Sequence, residues 1–196
     1  MAANTFQNKV KEKKMSNKKV TVLDVQQAKK ENRKLTMLTA YDFTTARILD
    51  GTGIDVLLVG DSASNVMAGH ETTLPITLEQ MIYHAQCVVR GVRRALVVVD
   101  LPFGSYQGNS QEALASAIRV MKEAGAHSIK IEGGMAVVPT IELVTTAGIP
   151  VMGHLGLTPQ TITKLGGFKV QATTAEAATR LHEDALALQE AGCFSI

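Results

Sequence analysis

The run Ala95-Leu96-Val97-Val98-Val99-Asp100, followed by Leu101-Pro102-Phe103, decides the architecture of this chain. Its apolar residues, rich in β-branched side chains, read as a strand buried on both faces, as in a parallel sheet covered by helices. The strand then closes on a carboxylate. Working outward, the same arrangement recurs. Polar groups end the apolar runs at Tyr41-Asp42 after Leu35–Ala40, at Asp61-Ser62 after Val56–Val59, at Lys130 and Glu132 with Ser128–Ile131, and at His154 after Val151–Gly153. Helical patterns lie between these runs. Asp42 is placed to cap a helix reaching to about Asp50, and Thr77–Val92 spaces Leu78, Met81, Ile82, Ala85, Val88 and Val89 along one helical face. Ser110–Ala124, Val137–Ala147 and Thr174–Ala191 are predicted helices closed by Gly125, Gly148 and Gly192, with Thr174 as the last N-cap. Thr158-Pro159 opens a short helix, and Phe194–Ile196 reads as a strand beginning.

Strands alternating with helices mean a parallel sheet, either open and doubly wound or closed as a (β/α)8 barrel. A dinucleotide-binding sheet requires a glycine-rich turn after its first strand, and here that turn is Thr39-Ala40-Tyr41-Asp42-Phe43. Barrel enzymes draw their sites from the carboxyl ends of several strands, which is where the polar groups fall. The expected fold is therefore an α/β (β/α)8 TIM barrel, of which this sequence supplies the first five to six strand–helix units.

Composition narrows the function classes. With 196 residues, 45% apolar and 19% charged, the chain can bury a substantial core and does not have the makeup of a disordered polymer. Its apolar runs are far shorter than the ~20 residues of a membrane span, and no secretory signal follows the basic N-terminus. Cys87 and Cys193 have no metal-ligand spacing and fit free thiols in a reducing, cytoplasmic setting. Ten Lys/Arg against Glu12, Asp24 and Glu31 give residues 1–34 a net charge of +7, whereas the remainder carries −5. Residues 1–19 thus read as a solvated basic leader and 20–196 as the barrel domain. The acidic body is no electrostatic match for nucleic acid.

Asp61, Asp100 and Glu132 end three different strands, so a closed barrel aims three carboxylates at one cavity. Crowded carboxylates repel, a hard divalent cation relieves the repulsion, and an oxygen-only donor set favours Mg²⁺ over Zn²⁺. Each residue also has a local reading: Asp61 as a turn cap, Asp100 before Leu101-Pro102 as a turn start, and Glu132 before Gly133-Gly134 at a helix N-terminus. Lys130 and Glu132, two apart in a strand, share a face. Lys130 is then a substrate-carboxylate ligand, a Schiff-base nucleophile, or a structural ion-pair partner. His154 is an acid, a ligand, a hydrogen-bond donor or a core histidine. His70 and Glu71 in a loop, His84 on a helix and Gly166-Gly167-Phe168-Lys169 are weaker candidates.

Taken in order, several stretches resemble the ketopantoate hydroxymethyltransferase family. They are Val59-Gly60-Asp61-Ser62, Gly69-His70-Glu71-Thr72-Thr73-Leu74-Pro75, Asp100-Leu101-Pro102-Phe103, Lys130-Ile131-Glu132-Gly133-Gly134, Gly153-His154-Leu155-Gly156-Leu157-Thr158-Pro159 and Gly166-Gly167-Phe168-Lys169-Val170-Gln171. The resemblance spans roughly Val20 to the C-terminus. It implies a barrel of the phosphoenolpyruvate/pyruvate-binding type assembled as a homo-oligomer, a decamer in the family. It implies transfer of a hydroxymethyl group from 5,10-methylenetetrahydrofolate to 3-methyl-2-oxobutanoate, giving 2-dehydropantoate through a Mg²⁺-stabilised enolate. By motif, Asp61 and Asp100 resemble the Mg²⁺ ligands, Glu132 a third metal-site carboxylate, and Ser62 and Lys130 the ketoacid-binding residues. The family's general base is a glutamate following the strand that begins near Phe194, and this sequence stops at Ile196 before reaching it, so the resemblance also implies a barrel incomplete at its C-terminus. Ala172-Thr173 stands where the family commonly has Gly-Arg. A Schiff-base aldolase or lyase using Lys130, and an inactive homologue, are the competing readings.

Overall fold

The computed structural model describes residues 18–196, so the predicted leader lies outside the described residues except for Lys18 and Lys19. Helix α1, Val22–Lys30, opens the described chain. Its start is a capping box: the Thr21 hydroxyl accepts from the Asp24 N–H, and the Asp24 carboxylate accepts from the Thr21 N–H. Periodicity does not reveal this helix, because its buried face is only Val25 and Ala28.

Five parallel strands follow: β1 Met37–Thr39, β2 Val56–Val59, β3 Leu96–Asp100, β4 Ser128–Glu132 and β5 Val151–His154. They pair strictly in chain order, β1-β2-β3-β4-β5. A doubly wound sheet has to reverse its strand order, whereas a barrel winds one way, so this topology is that of the predicted barrel. Phe194–Ile196 contributes a single bridge from Ser195 to Met152, with the Phe194 N–H donating to the Val151 carbonyl at 3.0 Å, where a sixth strand was anticipated.

The helices are α2 Phe43–Asp50, α3 Ala63–Val66, α4 Leu78–Gly91, α5 Ser110–Arg119, α6 Val138–Thr146, α7 Ile162–Leu165 and α8 Ala175–Glu190. The predicted helix Ser110–Ala124 changes character after Arg119: its last five residues form a π turn, closed by Gly125 at a left-handed φ of 70°. Helix α4 approaches α2 so closely at Gly91 that an added Cβ would sit 2.7 Å from the Phe43 carbonyl oxygen.

Alternation along the strands creates two faces. Leu57, Val59, Val97, Val99, Ile129, Ile131 and Val151 pack against the helices as the main core. Several of these side chains are fully buried, each contributing about 1.5–3 kcal/mol. Val56, Leu96, Val98 and Met152 face the other way and meet Val25 of α1. By the same alternation Asp100, Lys130, Glu132 and His154 fall on this inner face, at its carboxyl end. Strands β3 and β4 are buried at every residue, while β1, at the sheet edge, is exposed at all three positions despite its apolar composition.

Candidate active site at the carboxyl end of the sheet

Asp61 follows β2 by two residues, and its backbone N–H donates to Asp100 Oδ2 at 3.1 Å. Gly60 permits this approach: a Cβ there would stand 2.8 Å from Ser62 Oγ and 3.6 Å from Asp100 Oδ2. Ser62 begins α3 without capping it; its hydroxyl instead lies 2.8 Å from the Tyr41 hydroxyl.

Parallel register sets Asp100 beside Lys130 and Glu132 beside His154. Lys130 Nζ is 2.9 Å from Asp100 Oδ1 and 3.7 Å from Glu132 Oε1. The contact to Asp100 is an ion pair without a well-angled hydrogen bond, so Asp100 Oδ1 is a buried acceptor not saturated by protein donors. Glu132 is held at both oxygens: Oε1 by His154 Nδ1 at 2.8 Å and Oε2 by the Gln160 N–H at 3.1 Å. His154 Nδ1 also lies 3.3 Å from Lys130 Nζ. Because an ammonium only donates, the shorter contact assigns the Nδ1 proton to Glu132. Gln160 Nε2 reaches Asp61 Oδ2 at 2.9 Å, which closes the ring of contacts.

Three buried carboxylates therefore face one lysine. Burial, then Asp100, then Glu132 push the Asp61 carboxyl up to about 6, against the opposing pull of Gln160 and Lys130. Asp100 is also raised by burial, with Lys130 opposing. Burial works against the charge of Lys130, but Asp100 and Glu132 outweigh it and hold the ammonium above its ordinary range. Burial likewise opposes ionisation of Glu132, yet the His154 bond and Lys130 prevail and hold its carboxyl below the ordinary value.

All five residues singled out from the motifs, Asp61, Ser62, Asp100, Lys130 and Glu132, lie in this neighbourhood. As arranged, no set of three or more His, Cys, Asp or Glu among the described residues is spaced to share one metal ion. Lys130 stands between Asp100 and Glu132, and each Glu132 oxygen already accepts one hydrogen bond. Asp61 and Asp100, with one unsaturated buried oxygen and only hard donors, are the pair whose chemistry fits a divalent cation. His70 and Glu71 are exposed, as is Lys169, and His84 Nδ1 bonds the Tyr41 carbonyl at 2.8 Å.

The motif reading missed Gln160 and Tyr106, which are 4% and 3% exposed. The alternation Met152, His154 on β5 signals His154 as an inward residue; no spacing signals Gln160.

A parallel, one-way-wound β/α sheet with a carboxylate–lysine centre at the strands' carboxyl ends defines the chain as part of a (β/α) barrel with its candidate site at the usual rim. Solved structures agree on the fold. A phosphonopyruvate hydrolase complexed with oxalate and Mg²⁺ matches with a TM-score of 0.64 at 14% identity, over 89% of this chain and 61% of that one. A 2,3-dimethylmalate lyase, itself a PEP mutase/isocitrate lyase superfamily member, matches at 0.58 and 18% identity, over 88% and 61%. The family model of ketopantoate hydroxymethyltransferase matches residues 19–196, and the chain belongs to that family. The 3-methyl-2-oxobutanoate hydroxymethyltransferase of Salinibacter ruber is 65% identical over 178 residues, 91% of this chain and 67% of the relative. That of Cytophaga hutchinsonii is 62% identical over 179 residues, 91% and 66%. The chain thus spans about two thirds of the length of these relatives.

Proposed function

We propose that this site binds a 2-oxo acid together with Mg²⁺ and serves hydroxymethyl transfer from 5,10-methylenetetrahydrofolate to 3-methyl-2-oxobutanoate, forming 2-dehydropantoate. Supporting this reading is the convergence of Asp61, Asp100 and Glu132 from three strands on Lys130, in a family whose relatives carry that activity in their names. Asp61 and Asp100 would hold the cation, which when bound supplies Lewis acidity to the substrate's ketone. Glu132, whose oxygens each accept one hydrogen bond from His154 and Gln160, helps hold Lys130 charged. Lys130 meets the substrate carboxylate, and the Ser62 hydroxyl, backed by Tyr41, donates to it. In the reaction C3 gives up a proton and bonds to the one-carbon unit, water supplies the new hydroxyl, and both bonds from that unit to the folate nitrogens break; the C3 proton and one water proton end on those nitrogens as tetrahydrofolate leaves. Proton removal is not assigned to any of the five site residues.

The resemblance also supports homo-oligomeric assembly and a cytoplasmic setting, and no helix among the described residues is long and apolar enough to cross a membrane. The ion pair that holds Lys130 protonated weighs against the Schiff-base alternative, which needs a neutral amine. Calorimetric titration of the chain with 3-methyl-2-oxobutanoate tests the proposal. Binding should require Mg²⁺, disappear in Asp100→Asn and weaken in Lys130→Ala. Binding that ignores both Mg²⁺ and Asp100→Asn would refute the metal-assisted reading.

A further inference from the structure

We propose that Gln160 is the positioning residue that sets the Asp61 carboxylate against Glu132, with its amide locked in one orientation by Tyr106. The functional weight of this inference rests on the metal-and-oxoacid reading above. Its structural basis is a complete set of hydrogen bonds.

Gln160 lies on a 3-10 turn, Pro159–Thr161, after β5, and is buried. Its two amide protons go to Asp61 Oδ2 and to the Leu101 carbonyl, both at 2.9 Å. Its Oε1 accepts from the Tyr106 hydroxyl at 2.7 Å and from Gln107 Nε2 at 2.9 Å. Its backbone N–H holds Glu132 Oε2 at 3.1 Å. A glutamine side chain has two donor protons and two acceptor lone pairs, and here every one is used.

Direction follows from this inventory. Were the amide flipped, Oε1 would face a carboxylate and a carbonyl, and Nε2 would face the amide nitrogen of Gln107. Tyr106 reinforces the choice: its oxygen takes the Glu132 N–H at 3.2 Å, and of the two acceptors its proton can reach, Gln160 Oε1 at 2.7 Å is closer than the Glu132 carbonyl at 3.1 Å. Gln160 therefore always presents a donor to Asp61 Oδ2, which leaves the other Asp61 oxygen as the one offered to a ligand. Through its side chain and its backbone the same residue sets the spacing between a carboxylate from the β2 end and one from the β4 end. Outer partners of this kind are commonly worth about 10–100-fold in metal affinity.

The test uses the 196-residue chain with ¹³C-labelled aspartate carboxyls, and Mn²⁺ as the spectroscopic probe ion. The Asp61 resonance is identified by its disappearance in Asp61→Asn. Without metal, it should shift in both Gln160→Met and Tyr106→Phe, and Tyr106→Phe should add nothing in the Gln160→Met background. Mn²⁺ affinity should fall about tenfold or more in Gln160→Met and by less in Tyr106→Phe. An Asp61 resonance unmoved in both single variants would overturn the inference, as would an additive effect of the two substitutions. Should Gln160→Met fail to fold, Tyr106→Phe, which leaves the Asp61 contact in place, still decides through the same resonance. If the parent chain binds no Mn²⁺ while the Asp61 resonance still responds to the substitutions, the metal reading falls and the positioning of Asp61 by Gln160 stands.

Discussion

Asp61→Asn should make the chain more stable at pH 8 while removing its capacity for a divalent cation. The Asp61 carboxyl is raised from an ordinary 3.8 to about 6, first by burial and then by Asp100 and Glu132. The folded chain therefore holds this proton more tightly than the unfolded chain does. The stability it brings is fully present below pH 3.8, falls as pH rises through the interval to about 6, and stays lost above. Ionising Asp61 within the fold costs about 3 kcal/mol by that interval. Asparagine has nearly the same shape and can still accept from Gln160 Nε2, but it carries no charge to bury. In urea titrations with chelator present, the variant should match the parent near pH 4 and exceed it by up to about 3 kcal/mol at pH 8. Adding Mg²⁺ should narrow the gap by stabilising the parent alone. A variant less stable than the parent at pH 8, or a difference that does not change with pH, would refute the account of Asp61 as a carboxylate held in excess for a ligand.

Two further outcomes test the scaffold. Ala172 occupies a left-handed backbone conformation, φ 55°, which glycine adopts without strain; Ala172→Gly should raise stability by about 1 kcal/mol in thermal or urea unfolding. Asp50, at the end of α2 and 7% exposed, accepts from the backbone N–H groups of Arg93, Arg94 and Ala95 and so pins the entry to β3; Asp50→Ala should cost about 3 kcal/mol or more, read by the same unfolding titration, because those donors lose a charged acceptor.

The negative excess at the strand ends gives the family motif its physical sense. Asp61 and Asp100 are both raised by burial, and the same buried surroundings hold Lys130 charged through Asp100 and Glu132. A site built this way stores electrostatic cost that a bound cation can relieve. Glu132 differs from the other two carboxylates in that each of its oxygens accepts a hydrogen bond, one from His154 and one from the Gln160 N–H, and its carboxyl is held low where theirs are raised.

Much of this was readable in one dimension, because strand alternation and helix caps are local. The run 95–100 has its observed strand, Asp42 and Thr174 cap their helices, and the shared face of Lys130 and Glu132 follows from a period of two. The exposure of β1 was not readable, since an apolar strand at a sheet edge has the same composition as a central one. Nor was α1, whose buried stripe is two residues wide. What the sequence alone determined is the succession of parallel strands and the kinds of groups at their ends. Only the tertiary structure decided how those groups pair. Lys130 meets Asp100 through strand register, and Gln160 reaches Asp61 across 99 residues of chain. Such contacts depend on how distant segments close in space, and no local preference of the backbone encodes them.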